Sequence, residues 1–282
     1  MNILIYFAKR FVAGENLEDA IKATRILNKN DIKTTLDFLG EHTLIKKEVS
    51  KNIEQYKKLI RSINILKLNS NISLKLSSLG IDISKKYCLK NLSYLVKYAS
   101  KYKVAVTIDM EGSKYTTTTI NFYKKLHKKY PNLEIAIQAN LKRSYKDILS
   151  LIKRKANIRL VKGAYKESSK ISYLKKEDTN KNYIYLLIKL IKSKGFIAIA
   201  THDQKIIEKA KNYFKKYNVK KYRYEFQMLY GIRRNLQIEL ADKSFPIRVY
   251  VPYGKKWLHY FYRRIRERKE NLFFVLKYLF RS

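Results

Sequence analysis

Short apolar runs alternate along this chain with longer stretches in which apolar residues recur every three or four positions. Eight of the runs have the length and the β-forming side chains of strands, at residues 32–39, 72–79, 104–111, 134–141, 158–164, 196–202, 222–229 and 247–252. Most of them are apolar on both faces, which is typical of parallel strands that are covered on both sides. The alternation of strands with helices predicts eight consecutive strand–helix units.

The stretches between the runs carry the signals of amphipathic helices. Asn16 is a suitable N-cap for a first helix, whose apolar face is formed by Leu17, Ala20, Ile21, Thr24 and Leu27. The helix before the sixth run has a face made of Ile184, Leu187, Ile188 and Ile191. These spacings predict helices that pack one face against the sheet.

Eight such units predict an α/β fold, a single (β/α)8 barrel of the TIM type with a short helical extension at its N-terminus. The length of 282 residues suits this fold, which typically needs about 250. No linker or low-complexity segment divides the chain, so residues 1–282 are expected to form one domain. An open doubly wound sheet is the alternative, but no run is followed by the Gly-rich turn of a dinucleotide-binding sheet.

The charge of the chain affects its expected partners more than its expected fold. Lys and Arg number 62 against 23 Asp and Glu, which gives a formal net charge of +39. Such a charge favours nucleic acid or an anionic membrane surface as a partner. The lysines are spread along the whole chain and do not form an Arg-rich patch. This spread argues against specific nucleic-acid binding and leaves a weak attraction to anionic lipid.

The sequence signals favour a cytoplasmic protein. The apolar stretch 1–7 is too short for a secretory signal, and the basic residues follow it instead of preceding it. No run approaches the roughly 18 apolar residues of a membrane helix. Cys88 is the single cysteine, so no internal disulfide can form and a buried structural role is expected for it. We expect a soluble chain that is at most peripheral at the inner face of the cell membrane.

Polar residues at the ends of the runs are the candidate chemistry, since active sites of barrels form at the C-terminal ends of strands. Lys75 interrupts an apolar run and needs an anionic partner if it is buried; a lysine that reaches solvent is the alternative. Asp109 ends the third run, where it could orient a lysine or an arginine, or belong to an ordinary turn. Gln138 lies inside the fourth run, and its amide needs partners from a flat heteroaromatic edge or from neighbouring backbone.

The fifth run ends in groups that suit a phosphate or another anion. Arg159 and Lys162 lie within this run. Gly163 and Ala164 follow directly and allow the backbone to approach a ligand closely. One such segment is weak support for a site, but the neighbouring runs end in polar groups as well.

The sixth and seventh runs add to this set. Thr201 and His202 end the sixth run and can donate hydrogen bonds to phosphate or sugar oxygens. His202 is the best placed of the 4 histidines for a general base, and a structural histidine is the alternative. Glu225 and Gln227 in the seventh run need buried partners. The sequence contains no metal-ligand spacing, P-loop or nucleophile elbow, which disfavours metal, phosphoryl-transfer and acyl-transfer chemistry.

Arg263 and Arg264 form the most distinctive pair in the sequence, late on a predicted helix that follows the eighth run. Two guanidinium groups can bind a small carboxylate with a planar, bidentate geometry that lysine does not offer. Trp257, Phe261 and Ile265 give the same helix an apolar stripe that would hold it over the barrel mouth. A solvated basic helix face is the alternative.

Taken together, these segments resemble the proline dehydrogenases, flavin-dependent enzymes, in their short bacterial single-function form. The similarity covers nearly the whole chain and includes residues 10–15, 35–41, 75–77, 108–111, 159–165, 200–202, 225–231 and 248–254, followed by Arg263 and Arg264. One segment could arise by chance, but the ordered set is specific. The resemblance implies a distorted (β/α)8 barrel that binds FAD non-covalently at the C-terminal ends of the strands.

The resemblance also implies roles for individual residues. The carboxylate of L-proline would be bound by Lys75, Arg263 and Arg264. The pyrrolidine ring would be surrounded by Tyr165, Leu229 and Tyr250. Asp109 would lie beside the cations, and Arg159 would lie near the reactive nitrogen of the flavin. The FAD would also be contacted by Met110, Gln138, Lys162, Gly163, Ala164, Thr201 and His202. Asn140 stands where the family often has an aromatic residue, so the wall beside the flavin is expected to differ.

The reaction implied by the resemblance is hydride transfer to FAD from the proline ring carbon next to nitrogen, which gives pyrroline-5-carboxylate. Reduced FAD would then pass its electrons to a membrane quinone. Two alternatives are kept beside this function. One is a non-flavin barrel enzyme that binds another small carboxylate, and the other is a nucleic-acid-binding protein, motivated only by the charge.

Overall fold

Eight parallel strands close into one barrel. The computed structural model describes residues 10–258 and 260–262. Neighbouring strands are hydrogen-bonded in chain order, and the eighth strand pairs with the first. The strands are β1 Lys33–Phe38, β2 Ser70–Leu74, β3 Val106–Ile108, β4 Leu133–Gln138, β5 Asn157–Val161, β6 Ile197–Ala200, β7 Tyr224–Leu229 and β8 Ile247–Tyr253. The predicted (β/α)8 barrel is confirmed, and the closed strand order excludes the open doubly wound sheet.

Helices alternate with the strands and cover the outside of the barrel. They are α1 Leu17–Asn28, α2 Lys46–Ile65, α3 Lys85–Lys101, α4 Ser113–His127, α5 Ser144–Ile152, α6 Lys176–Ile191, α7 Gln204–Lys216 and α8 Arg234–Asp242. Helix α1 precedes β1 and is the predicted N-terminal extension. Asn16 caps it as expected, because its side chain accepts a hydrogen bond from the Asp19 N–H at 2.9 Å while the Asp19 carboxylate accepts one from the Asn16 N–H. Among the described residues, no helix is long and apolar enough to span a bilayer.

The buried face of α6 is rotated from the predicted one. Its buried residues are Thr179, Tyr183, Leu186, Leu187, Leu190 and Ile191. Ile184 and Ile188, which the spacing places on the inner face, are only partly buried. Tyr183 explains the difference, because its hydroxyl donates a 2.8 Å hydrogen bond to the Leu160 carbonyl of β5 and the ring therefore takes the sheet side.

Several predicted strands extend past the point where the strands of the structure end. Strand β2 ends at Leu74, and Leu76–Leu79 forms a 3₁₀ helix that stops at Gly80 with a φ of +88°. The third run contains only the three strand residues Val106–Ile108, and the fourth run leaves the sheet after Gln138. The residues beyond these points are mostly buried, so they look like strand in the sequence although they form the mouth of the barrel.

The inward faces of the strands are polar, contrary to the expectation that most runs are apolar on both faces. The inward side chains include Thr35, Asn71, Ser73, Thr107, Glu134, Arg159, Glu225 and Arg248, and nearly all are buried. They bond to one another across the strands, for example Thr107 to Glu134 at 2.7 Å and Arg248 to Glu225. Gln227 also donates to Glu225 at 2.8 Å, which gives both polar residues of the seventh run the partners they need. The apolar core therefore lies between the sheet and the helices. Cys88 lies in this core as predicted, and burial raises the pKa of its thiol to about 12.

Candidate active site

Lys75 is buried just after β2 with carboxylates on two sides. Its Nζ lies 2.7 Å from Asp37 Oδ2 and 3.4 Å from Asp109 Oδ2. The Lys75 side chain is 8% exposed, so it does not extend its charge into solvent. Burial acts to lower the pKa of Lys75, but the charges of Asp37 and its other neighbours outweigh burial and hold that pKa well above its ordinary value. Lys75 therefore carries a positive charge at neutral pH.

Asp109 connects the two cations of the site. Its Oδ1 accepts hydrogen bonds from Arg159 Nη1 at 2.8 Å and from Ser73 Oγ at 2.6 Å. Its Oδ2 accepts one from the Tyr250 hydroxyl at 2.6 Å. Burial acts to raise the pKa of Asp109, but Lys75 and Arg159 outweigh burial and bring it below the ordinary value. Asp109 is therefore a carboxylate that orients both a lysine and an arginine.

Arg159 reaches across the barrel interior from β5. Its Nη2 donates to Thr107 Oγ1 at 3.0 Å and lies 3.4 Å from Glu134 Oε1. Its guanidinium carbon lies 5.5 Å from the centre of the Tyr250 ring. Burial acts to lower the pKa of Arg159, but the charges of Glu134 and Asp109 outweigh burial and raise that pKa above its ordinary value. Acids on two sides thus fix the position of this cation.

Four residues of this network were not among the candidates from the sequence, namely Asp37, Ser73, Thr107 and Glu134. A signal for Asp37 was available, because a charge inside an apolar run must be paired when it is buried. Asp37 stands opposite Ser73 in the register of β1 with β2, and Lys75 follows two residues later. Glu134 and Arg159 lie on the adjacent strands β4 and β5 and are a second pair of this kind.

Lys162 and His202 are held by neighbours at the exits of β5 and β6. Lys162 Nζ lies 2.7 Å from Asp203 Oδ2. Burial acts to raise the pKa of Asp203, but the bond to Lys162 outweighs burial and lowers it. The Leu229 N–H donates to His202 Nε2 at 2.8 Å, so this nitrogen carries no proton while the bond exists. His202 therefore ties the exit of β6 to the end of β7 through this bond.

Further bonds join neighbouring strand exits around the mouth. Gln138 Nε2 donates to the Glu111 carbonyl at 3.1 Å, so its amide nitrogen binds neighbouring backbone. The Glu111 carboxylate in turn accepts hydrogen bonds from the N–H of Ser77, at 3.0 Å, and from its hydroxyl. These bonds connect the exits of β4, β3 and β2 in sequence. Met110, beside Glu111, is buried as well.

The exits of β4 and β5 have features that fit a flat heteroaromatic group. Asn140 Oδ1 is buried and has no hydrogen-bond partner among the residues the structure describes. Gly163 has a φ of +112°, and a Cβ at this position would lie 2.1 Å from Asn140 Oδ1. Leaving a buried acceptor unsatisfied costs about 1–3 kcal/mol, which a ligand N–H would recover. With Lys162 beside them, these residues can hold a group that has both a polar ring and a phosphate.

The remaining candidates lie on the same end of the barrel. Ala164 and Tyr165 are on the connection from β5 to α6, Thr201 follows β6, Leu229 ends β7 and Tyr250 is in β8. Arg263 and Arg264 lie outside the described residues. The chain can be followed to Tyr262, where a helical segment packs Trp257 and Phe261 against Phe11, Leu39 and Ile232. Leu39 and Ile232 follow the ends of β1 and β7, so this segment lies at the mouth.

Comparisons with known proteins agree with this geometry. The family model described as "Proline dehydrogenase" matches residues 20–277. The chain is 42% identical over 270 residues to Proline dehydrogenase 1 of Bacillus subtilis (strain 168), which spans 96% of this chain and 89% of that protein. It is 35% identical over 275 residues to the proline dehydrogenase of Deinococcus radiodurans, with the same coverage of 96% and 89%. The structure of proline utilization A from Bdellovibrio bacteriovorus inactivated by N-propargylglycine superposes with a TM-score of 0.86 at 25% identity, over 93% of this chain and 32% of that one. The chain belongs to the proline dehydrogenase family.

Proposed function

We propose that this protein oxidises L-proline to pyrroline-5-carboxylate with FAD as the hydride acceptor, and that a membrane quinone reoxidises the flavin. The observation that carries the proposal is the buried network of Asp37, Lys75, Asp109 and Arg159 at the C-terminal ends of the strands. Membership of the family supports the proline substrate. The buried acceptor of Asn140 and the cation of Lys162 support a flavin nucleotide.

The charge balance of the mouth supports a role for the arginine pair. Among the described residues, the network's two cations, Lys75 and Arg159, face three acids, Asp37, Asp109 and Glu134. Burial raises the pKa of Asp37 and of Glu134, but Asp109 stays charged. The network therefore offers an incoming carboxylate little surplus positive charge. Arg263 and Arg264 would supply it, with Lys75 as the third cation.

FAD supplies the hydride acceptor when it is bound. The residues proposed to hold it are Met110, Gln138, Arg159, Lys162, Gly163, Ala164, Thr201 and His202. Arg159, which its acids hold in place, would stabilise negative charge on the ring. Lys162 would offer its charge to a phosphate.

The substrate pocket proposed here combines a charged side with an apolar one. Tyr165, Leu229 and Tyr250 would pack around the pyrrolidine ring and exclude water from it. The Tyr250 hydroxyl is fixed by its bond to Asp109. Burial and, to a smaller extent, the nearby charge of Asp109 raise the pKa of Tyr250 well above its usual value. Tyr250 therefore remains a neutral hydrogen-bond donor. Lys75 would set the direction of the carboxylate and so the placement of the ring carbon that loses hydride.

The direct test is anaerobic addition of L-proline to the FAD-loaded protein, followed by absorbance at the flavin bands. We expect the yellow colour to bleach with proline and to return with a soluble quinone analogue. Lys75→Met should raise the proline concentration needed for half-maximal bleaching by roughly a hundredfold, since a buried charge-assisted contact is lost. A matched surface change, Lys243→Met just after the end of α8, should have no effect, because Lys243 is exposed. A flavin that proline does not bleach would refute the proposal, and a protein that binds no flavin would favour the non-flavin carboxylate enzyme.

A further inference from the structure

The connection from β5 to α6, residues 162–175, is attached to the rest of the mouth along its length, beginning at Lys162, whose Nζ lies 2.7 Å from Asp203 Oδ2. Near its end it runs along the exit of β4, where the Lys142 N–H donates to the Ile171 carbonyl at 2.9 Å and the Tyr173 N–H donates to the Asn140 carbonyl at 2.8 Å. In its middle, Glu167 crosses to the start of α4. Glu167 Oε1 accepts from the Ser113 N–H and Oε2 from the Ser113 hydroxyl, both at 2.7 Å.

The start of α4 is a favourable place for this carboxylate. The N-cap residue of α4 is Gly112, which has no side chain to satisfy the first free N–H groups of the helix. An acid at a helix N-terminus also interacts favourably with the helix dipole. Glu167 thus supplies from another loop, 54 residues away in sequence, the cap that the sequence of α4 lacks.

The Glu167–Ser113 bond pair joins two segments that each carry candidate site residues. Ser113, the first residue of α4, lies four residues after Asp109 and directly follows the connection that contains Met110. Glu167 lies two residues after Tyr165 and four after Gly163. A change in this bond pair is therefore transmitted over a few residues to both sides of the mouth.

We propose that Glu167 is a positioning residue, which fixes residues 163–166 against the mouth by binding the start of α4. This inference rests on the proposed function for the identity of the substrate but not for the existence of the bond pair. Glu167 acts through Tyr165 and the backbone around it. Its loss should free the loop and weaken substrate binding while the charged network stays intact.

Three variants remove the Glu167–Ser113 hydrogen bonds in steps. Ser113→Ala removes the hydroxyl bond alone, Glu167→Gln keeps one acceptor without the charge, and Glu167→Ala removes both bonds. Glu239→Ala is the matched control, because Glu239 accepts a 2.7 Å bond from Lys243 on the surface of α8 and its loss changes the net charge by the same amount. Amide hydrogen exchange measured by mass spectrometry then reports on the loop without any use of activity.

We expect exchange in residues 163–172 to be about tenfold faster in Glu167→Ala than in the wild type, and about threefold faster in Ser113→Ala. Glu167→Gln should fall between Ser113→Ala and Glu167→Ala. The Glu239→Ala control should leave the exchange of this segment unchanged. Equal exchange in the wild type and Glu167→Ala would show that the bond pair does not hold the loop, and the proposal would fail.

Steady-state kinetics at saturating FAD separate positioning from a merely structural role. We expect Glu167→Ala to raise the KM for proline about tenfold with kcat changed by less than about twofold, and Glu167→Gln to restore part of the KM. Faster loop exchange with an unchanged KM would overturn the positioning role. If the wild type does not oxidise proline, the proposed function fails by itself, and the exchange comparison still decides whether Glu167 holds the loop.

Discussion

Two buried cations share one acid in this site, and each also has an acid of its own. Lys75 is paired with Asp37, Arg159 is paired with Glu134, and Asp109 touches both cations. A buried ion pair contributes little to stability compared with an apolar pair, but removing one partner leaves an expensive buried charge. The second acids therefore hold the cations in place before any substrate arrives.

Asp37→Asn tests this arrangement at the scale of one atom. The variant keeps the shape of the side chain but removes the negative charge nearest to Lys75, which leaves the 3.4 Å contact with Asp109 as its remaining ion pair among the described residues. We expect the free energy of unfolding, measured with urea, to fall by about 3 kcal/mol. Glu239→Gln, which breaks an exposed pair with Lys243, should cost less than about 1 kcal/mol. A loss in Asp37→Asn no larger than in this control would show that Asp37 is not needed to keep Lys75 buried.

A functional residue can be predicted from the sequence when its charge interrupts an apolar run. It is harder to predict when its role depends on a partner from another strand. Lys75 and Asp109 stand out because a charge at the end of an apolar run is unusual. Asp37 and Glu134 lie in runs that also look like strands. Asp37 becomes significant only through Lys75, just after the adjacent strand β2, and Glu134 only through Arg159 on the adjacent strand β5. Asp37 and Lys75 are 38 residues apart in sequence, and only the register of the barrel brings them together.

At the scale of elements, the C-terminal turn of α4 carries His127, whose protonated form is less favourable in the folded protein than in the unfolded chain. His127 stacks on Tyr123 with ring centres 4.8 Å apart and an angle of 18° between the planes. Burial lowers the pKa of His127 below its ordinary 6.5, although nearby backbone carbonyls act in the opposite direction. The unfolded chain therefore binds this proton more tightly than the folded protein does.

The sign of the resulting pH dependence follows from linkage. As the pH falls below 6.5, His127 is protonated more readily in the unfolded chain than in the folded protein. The free energy of unfolding therefore decreases. We expect the urea midpoint of the wild type to drop between pH 7.5 and pH 5 by more than that of His127→Phe, which keeps the stacked ring but cannot titrate. The two proteins should differ least at pH 7.5 and most near pH 5. Parallel pH profiles for the two proteins would contradict this assignment.

Elements were predictable in number and order, but less so at their ends. The eight runs give the eight strands because parallel strands in a covered sheet are rich in β-formers. Their C-terminal ends are misplaced at β2, β3 and β4, since segments such as Leu76–Leu79 leave the sheet and stay buried. These segments form the mouth, so the least predictable part of each element is the part that builds the site. The polar inward face was predicted only in part, because Arg159, Glu225 and Gln227 stand out singly in their runs, while a small polar residue such as Ser73 does not change the apolar character of a run.

At the scale of the whole molecule, the charge divides into a balanced interior and a strongly basic surface. The buried cations of the barrel are each matched by an acid, as Arg248 is by Glu225 and Arg159 by Glu134. Of the residues that the structure describes, every Lys and Arg other than Lys75 and Arg159 is at least partly exposed, so the excess of positive charge there lies towards the surface. Charge of this kind acts at long range and without a defined geometry.

Binding to lipid vesicles tests what this surface does. Each Lys or Arg near an anionic bilayer contributes about 1 kcal/mol, and the effect decays within a Debye length of about 8 Å at physiological salt. We expect the protein to sediment with vesicles of anionic lipid at about 50 mM salt, to be released at about 500 mM, and to leave zwitterionic vesicles unbound. Duplex DNA should be bound with the same salt sensitivity and without preference for sequence, because lysines spread over a surface read no base edges. A strong sequence preference on DNA would revive the nucleic-acid function. A lack of binding to anionic vesicles at low salt would show that this charge does not recruit the protein to the membrane that holds its proposed electron acceptor.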